Sequence, residues 1–193
     1  AERTLLNFMQ RMSGIATTTR EYVDLVSDTK VTLLDTRKTT PNMRIFEKYA
    51  VTVGGAQNHR FGLYDMMMLK DNHIDFAGGI EKAIDAANKY LEDNNMRLNI
   101  EVETRSLDDV ARVLKHGGVQ RIMFDNFTPE DTCKAVEIVA GRCETESSGG
   151  ITFDNMIPYA KAGVDFISFG ALTHSVKGLD MSFKAAGSDK LKI

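Results

Sequence analysis

The sequence is poor in residues that mark several classes of protein. Its 193 residues include only two cysteines, three prolines and no tryptophan. Two cysteines, Cys133 and Cys143, are too few for a disulfide framework and are typical of a reducing compartment. No apolar run approaches the roughly 18–20 residues of a membrane-spanning helix, and the net charge of −3 gives no general attraction for nucleic acid. We therefore expect no membrane and no nucleic-acid partner, and a cytoplasmic protein, or an organellar one if a transit peptide was removed.

The composition that is present fits one globular domain. The chain is 42% apolar and 26% charged, and its length lies within the roughly 100–200 residues of a single domain. No linker or low-complexity stretch interrupts it, so we assign residues 1–193 to one domain. Because the chain begins at Ala1 rather than at a methionine, we expect further residues upstream.

Short apolar runs alternate with amphipathic segments after an N-terminal apolar stripe over residues 5–15, which we interpret as a packing face. The runs predict strands over 31–34, 66–69, 98–102, 121–124, 142–145 and 166–169, with helices near 43–52, 79–93, 107–116, 129–140 and 153–162. Met66 to Met68 is interpreted as core filling. The alternation predicts an α/β fold with parallel strands, a TIM-like (β/α) barrel that is incomplete or has fewer than eight strands.

Polar residues follow each predicted strand. They are Asp35 to Lys38, Lys70 to His73, Glu101 to Glu103, Asp125 to Asn126, Glu146 to Gly150 and Gly170 to His174. Any one of these has a structural explanation, since Asp and Asn cap helices and Gly forms turns. In a barrel of βα units, however, the carboxyl ends of the strands meet at one mouth. Six polar strand ends therefore predict an enzyme site there.

Cations concentrate in one part of the chain. Residues 37–73 contain six Lys and Arg against three Asp and Glu, together with His59 and His73. A positive segment in an acidic chain favours a small anionic ligand, although a solvated face is the alternative. Arg offers a planar fork for carboxylates, whereas Lys is a point charge suited to phosphate.

Two strand ends carry acids and two carry small residues. Glu103 and Asp125 are suited to binding sugar hydroxyls, holding Mg²⁺ with phosphate, or acid–base work, and an ion pair with a nearby cation is the alternative. Residues 147–150 and 170–173 suit a phosphate group, although each alone can be only a turn. The histidines and cysteines show no zinc-ligand spacing. No Walker loop, nucleophile elbow or dinucleotide fingerprint is present.

Taken in order, segments 3–17, 35–41, 54–63, 70–73, 101–103, 125–127, 146–150 and 170–175 resemble those of the quinolinate phosphoribosyltransferase family. The resemblance covers nearly the whole chain. It implies transfer of a phosphoribosyl group from 5-phosphoribosyl-1-pyrophosphate to quinolinate with decarboxylation, in NAD biosynthesis. The products would be nicotinate mononucleotide, pyrophosphate and CO₂, and the reaction would need Mg²⁺. It further implies an N-terminal domain of about a hundred residues, typical of an independent domain, ahead of this barrel.

The same resemblance implies roles for individual residues. The quinolinate carboxylates would be bound by Arg37, His59, Arg60 and Lys70, with Arg3 reaching in from the neighbouring subunit of a homodimer or higher homo-oligomer. The phosphoribosyl pyrophosphate would be handled by Lys38, Glu103 and Asp125, with the two acids near its ribose and the metal. The 5-phosphate would be held by Ser148, Gly149, Gly170 and His174.

Two alternatives stay open from the sequence. One is a related phosphoribosyltransferase with another acceptor, such as nicotinate, although a monocarboxylate does not need Arg37, Arg60 and Lys70 together. The other is a non-catalytic barrel that only dimerises or binds a ligand. The presence of Glu103 and Asp125 at predicted strand ends speaks against a pure scaffold.

Overall fold

The computed structural model describes residues 1–184, which form one parallel sheet with helices packed around it. The strands are β1 Thr32–Leu34, β2 Met67–Leu69, β3 Ile100–Thr104, β4 Arg121–Asp125, β5 Glu144–Ser148 and β6 Phe166–Ser168. The helices are α1 Glu2–Leu25, α2 Arg44–Gly54, α3 Asp71–Ala77, α4 Ile80–Asp93, α5 Leu107–His116, α6 Pro129–Val139, α7 Met156–Lys161 and α8 Ala171–His174.

The sheet is an open barrel. Its strand order is β1-β6-β5-β4-β3-β2, and every neighbouring pair is parallel. An isolated bridge pairs Gln57 with Leu34 at the free edge of β1. Within residues 1–184, no ladder of hydrogen bonds joins this edge to β2. The segment from Gln57 to Met67 connects the two free edges. The prediction of an incomplete parallel barrel with fewer than eight strands is confirmed.

The two faces of the sheet differ in polarity. The outer face packs against the helices through buried apolar side chains such as Val102, Ile122 and Ile167. Because side chains alternate along a strand, residues two apart share a face. On β3 and β4 the inner face therefore carries Glu101 with Glu103, and Met123 with Asp125. The inner face of this barrel is polar, so the interpretation of its strands as short apolar runs is wrong for that face.

Two predicted elements need correction. The sequence predicts the fifth strand over 142–145, but β5 runs from Glu144 to Ser148, because Glu146 and Ser147 are buried within the sheet rather than exposed in a turn. Helix α3 was not predicted after the second strand. It begins at Asp71 because the His73 ring Nδ1 accepts a hydrogen bond from the Lys70 N–H at 3.0 Å, which caps the helix start.

Local capping explains why other helices begin where predicted. Ser106 and Thr128 each accept a hydrogen bond from a backbone N–H three residues later, at 3.1 Å, and Pro129 opens α6. Within residues 1–184 we find no helix with the length and apolar character needed to cross a bilayer.

Candidate active site

A cavity of about 440 Å³ opens at the carboxyl ends of the strands. It is lined by Thr36, Arg37, Lys38, His59, Arg60, Met68, Lys70, Glu103, Met123, Asp125, Asn126, Ser148, Gly149 and Ser168. Nine of the twelve predicted site residues are in this lining. The parallel strands bring these residues together because each of them lies at or just after a strand end.

Four of the six cations in the positive segment face the cavity: Arg37, Lys38, Arg60 and Lys70. Burial and the neighbouring charge of Arg37 lower the pKa of Arg60. The Lys70 ammonium lies 3.0 Å from Oε2 of Glu103. The cavity is therefore positive along the side formed by these residues, with one lysine already paired to an acid.

The other two cations of the segment have structural contacts instead. Arg44 donates to the backbone carbonyl of Phe61 at 3.1 Å, and Lys48 is buried against Asp35. The local charge excess seen in the sequence is thus divided between cavity and scaffold.

Acidic and small residues on β3, β4 and β5 line the same cavity. Glu103 is buried, with 9% of its surface exposed, while Asp125 accepts a hydrogen bond from the Asn126 side chain at 2.8 Å. Ser148 and Ser168 are linked through their hydroxyls at 3.0 Å. Carboxylates and hydroxyls therefore share one cavity with the cations.

The turn after β5 requires glycine at position 149. Gly149 has a φ of +87°, in the left-handed region that L side chains rarely adopt. A Cβ there would lie 2.4 Å from Oδ1 of Asn126. The Asn126 N–H in turn donates to the Ser148 carbonyl at 2.8 Å, which ties the ends of β4 and β5 together.

Three predicted site residues do not line the cavity of this chain. Arg3 is exposed on α1. Gly170 and His174 lie at the two ends of α8, where a Cβ on Gly170 would meet the His174 ring at 2.8 Å and the Lys38 side chain at 3.0 Å. The Thr173 hydroxyl donates to the Lys38 carbonyl at 2.8 Å. Helix α8 therefore lies against Lys38 at the rim.

A buried charged cluster forms the floor of the cavity. His59 Nε2 lies 3.1 Å from Oε2 of Glu101 and 3.3 Å from Oε2 of Glu146, and both glutamates are fully buried. Burial lowers the pKa of His59, whereas the two neighbouring carboxylates raise it. Burial and the charge of Glu146 raise the pKa of Glu101 to about 7. Burial opposes ionisation of Glu146, yet His59 and Arg121 lower its pKa.

These three residues are also the one group of three potential metal ligands found within residues 1–184. The contact made by the other ring nitrogen of His59 indicates whether Nε2 is able to bind a metal. The Arg60 N–H donates to His59 Nδ1 at 2.7 Å, which places the ring hydrogen on Nε2, where a metal would need a lone pair. In this form of the ring, Nε2 has no lone pair free for a metal.

The backbone at His59 is held by a buried ion pair. The Lys48 ammonium lies 2.5 Å from Oδ1 of Asp35 and donates to the His59 carbonyl at 3.0 Å. Asp35 also accepts the His59 N–H at 2.8 Å. The Asn58 side-chain amide, with its nitrogen toward Asp35, donates to Oδ2 at 2.7 Å. This pair therefore fixes the segment that carries His59 and Arg60 across the gap in the barrel.

The sequence assigns no individual role to several residues of the site, although Thr36, Asn126, Glu101 and Glu146 lie in the predicted polar strand ends. Those in the cavity wall are Thr36, Met68, Met123, Asn126 and Ser168, and those beneath it are Glu101 and Glu146. The interpretation of Met68 as core filling is wrong, because its side chain lines the cavity. The sequence did contain a usable signal for Glu101, because residues two apart on a strand share a face and Glu103 was already a predicted site residue.

Comparison with known proteins gives one consistent family. The family model described as quinolinate phosphoribosyl transferase, C-terminal domain, matches residues 15–184. The chain is 48% identical over 198 residues to the chloroplastic carboxylating nicotinate-nucleotide pyrophosphorylase of Arabidopsis thaliana, covering 95% of this chain and 56% of that protein. It is 44% identical to a probable carboxylating nicotinate-nucleotide pyrophosphorylase of Bacillus subtilis, covering 98% of this chain and 64% of that protein.

The solved structures agree. The crystal structure of NadC from Streptococcus pyogenes superposes with a TM-score of 0.89 at 45% identity, covering 95% of this chain and 63% of that one. The chain thus spans somewhat over half the length of the relatives that it matches.

Proposed function

The chain belongs to the quinolinate phosphoribosyltransferase family through its C-terminal domain, and from that premise we propose that it carries the catalytic barrel of such an enzyme. The proposed reaction moves a phosphoribosyl group from 5-phosphoribosyl-1-pyrophosphate to quinolinate, with loss of CO₂. One observation carries the proposal: Arg37, Arg60 and Lys70 line a single cavity together with Glu103 and Asp125.

We infer that the cationic side binds the acceptor. Quinolinate has two adjacent carboxylates, and guanidinium groups bind carboxylates with paired hydrogen bonds. Arg37 and Arg60 supply two such forks, and Lys70 supplies a point charge. Because Lys70 is paired with Glu103 in the structure, acceptor binding would draw it from that acid and release Glu103 toward the ribose.

Other residues of the cavity wall suit the donor. Lys38 would meet the pyrophosphate, while Ser148 and Gly149 would hold the 5-phosphate through a hydroxyl and a backbone N–H. Gly170 and His174 lie beside Lys38 at the rim, from where they would extend this phosphate site.

The acids fit a magnesium ion that arrives with the donor. Mg²⁺ usually keeps several waters and uses one or two carboxylates together with substrate phosphates. Glu103 and Asp125 are two carboxylates on neighbouring strands, both lining the cavity. When bound there, the ion would neutralise the charge that builds on the departing pyrophosphate.

The residues of the chain account for the remaining chemistry. As pyrophosphate leaves, C1 of the ribose becomes electron-poor, and nearby carboxylates stabilise that charge. The pyridine nitrogen, oriented by the cations, forms the new bond to C1. The bond from the ring to the 2-carboxylate then breaks, CO₂ leaves, and the electron pair at the ring carbon is stabilised by the adjacent cationic nitrogen until a proton is added. Positioning and charge suffice, with no covalent intermediate on the protein.

We also propose that the working form is a homodimer or higher homo-oligomer. On α2, Ile45, Tyr49 and Val53 are more than half exposed and lie four residues apart, which aligns them on one face. Leu5, on α1 near Arg3, is also half exposed. Apolar patches of this kind mark protein contacts. Covering this face with a second copy would bring Arg3 into a subunit contact, as the resemblance implies.

The compartment follows from the cysteine usage. Two cysteines and no disulfide framework support a reducing compartment. The related plant proteins are named chloroplastic or mitochondrial. We therefore propose a cytoplasmic protein or an organellar one, and we expect fractionation of its source cells to recover it from one of these compartments.

Release of labelled CO₂ from the 2-carboxyl of quinolinate tests the proposal. We expect release only when Mg²⁺ and 5-phosphoribosyl-1-pyrophosphate are both present. Asp93→Asn, an exposed acid on α4, is the matched control and should retain release. Because the chain spans only part of its relatives, calorimetry should accompany the assay. Absence of both release and quinolinate binding would refute the proposal.

Calorimetry also decides between acceptors. The three cations of the acceptor side predict tighter binding of quinolinate than of nicotinate, which has one carboxylate. Equal or tighter binding of nicotinate would favour the related phosphoribosyltransferase with another acceptor.

A further inference from the structure

Two buried carboxylates have no role in the proposed reaction. Glu101 and Glu146 are fully buried, and each lies two residues before a residue of the cavity wall, Glu103 and Ser148. Burying a carboxylate is costly unless it is paired and hydrogen-bonded. A scaffold with no other use for these positions would fill them with branched apolar side chains, as barrel interiors commonly do.

Their partners differ. Glu146 has the Arg121 guanidinium at 3.1 Å, and Arg121 also contacts the exposed Glu144 at 2.9 Å and lies 3.9 Å over the ring of Phe166. Glu101 lacks such a pair. Neither of its oxygens has a hydrogen bond of good geometry to any residue that the structure describes, and its close polar neighbour is His59 Nε2 at 3.1 Å.

The His59 ring is fixed at both nitrogens. Nδ1 accepts the Arg60 N–H at 2.7 Å, so the hydrogen is on Nε2. Nε2 lies 3.1 and 3.3 Å from the two carboxylates, within ion-pair distance of both, although neither contact has the geometry of a hydrogen bond. The ring thereby connects the buried acids to the backbone of Arg60, whose side chain lines the cavity.

We propose that Glu101 and Glu146 are positioning residues for the acceptor site and act through His59. Both carboxylates contact Nε2 and so fix the ring, and the ring fixes the start of the Arg60 side chain. Identification of the acceptor as quinolinate rests on the proposed function. The position of the ring hydrogen does not depend on it.

The first test reads the ring directly. Long-range ¹H–¹⁵N correlation spectra of the labelled chain at neutral pH should show His59 with a hydrogen on Nε2, its signals assigned by their loss in His59→Gln. A neutral ring with its hydrogen on Nδ1, or an average of the two tautomers, would overturn the proposal. Zinc binding by wild type that His59→Gln abolishes would overturn it as well, because a metal needs the Nε2 lone pair.

The second test asks whether Glu101 acts through His59. Quinolinate affinity is measured by calorimetry for wild type, Glu101→Gln, His59→Gln and the double variant. Loss of the polar contact between the charged Glu101 carboxylate and His59 predicts about tenfold weaker binding in Glu101→Gln. In the His59→Gln background the same change should cost less than about twofold, since the connecting ring is absent. Equal losses in both backgrounds would show a general structural effect and refute the proposal.

Controls separate the remaining outcomes. Glu144→Gln also removes an acid beside Arg121 but lies outside the cluster, so quinolinate affinity should stay unchanged. Glu146→Gln should behave like Glu101→Gln, and an affinity equal to wild type in both would refute the proposal. If wild type binds no quinolinate, the proposed function fails on its acceptor. The ring spectrum of wild type still tests the inference in that case. It also does so when a variant of Glu101 or Glu146 does not fold.

Discussion

Replacing Lys48 with methionine should destabilise the protein strongly. The ammonium of Lys48 is 1% exposed and lies against the fully buried carboxylate of Asp35, at 2.5 Å. Removing one partner leaves the other charge buried without compensation, at a cost of about 3–5 kcal/mol in such pairs. Each kcal/mol lowers Tm by about 2–4 °C in a chain of this size, so we expect a fall of about 6–20 °C.

Urea and thermal unfolding followed by circular dichroism measure this loss. Lys89→Met is the matched control, because Lys89 pairs with Asp93 on the exposed face of α4, and it should change the free energy of unfolding by no more than about 0.5 kcal/mol. The double variant Asp35→Asn/Lys48→Met should be more stable than the sum of the single changes implies, since neither buried charge then remains. A loss below about 1 kcal/mol in Lys48→Met would refute the reasoning.

Two further predictions follow from the site. Asp125→Ala should abolish labelled CO₂ release while the unfolding curve stays close to that of wild type, and unchanged turnover would contradict its assigned role. Gly149→Ala should weaken binding of 5-phosphoribosyl-1-pyrophosphate in calorimetry at least tenfold, a loss of about 1.4 kcal/mol, because a Cβ would lie 2.4 Å from Asn126 Oδ1 at a φ of +87°. Unaltered affinity would show that this turn does not hold the phosphate.

The mouth of the barrel could be predicted because strand ends are visible in sequence. Arg37, Lys70 and Asp125 each follow an apolar run, and parallel strands place such positions on one edge whatever the details of the barrel. The order of strands and helices was therefore enough to predict that these residues meet in one cavity. Which charge would pair with which could not be read in this way, since Lys70 and Glu103 are 33 residues apart in sequence and meet only in the fold.

The scaffold around the site was harder to predict, and α2 shows why. Glu47 and Lys48 are buried there, while Ile45, Tyr49 and Val53 are exposed. The usual amphipathic rule places polar residues outward, so sequence reasoning counted Lys48 among cations available to a ligand. A helix with this reversed polarity can be recognised only when two things are known: which residue pairs with its buried charge, and what covers its exposed apolar side chains.

The polar interior also determines how the site can be tested. In this barrel, Asp35 with Lys48 and Glu146 with Arg121 occupy space that other barrels fill with apolar layers. Each pair is stable while both charges are present, but removing one partner leaves the other charge buried and unpaired. One substitution therefore perturbs folding and ligand geometry together. Glu101 extends the same network to the Arg60 segment through His59. A single loss of activity at these positions therefore does not separate a role in chemistry from one in the scaffold, whereas the difference between single and double variants does.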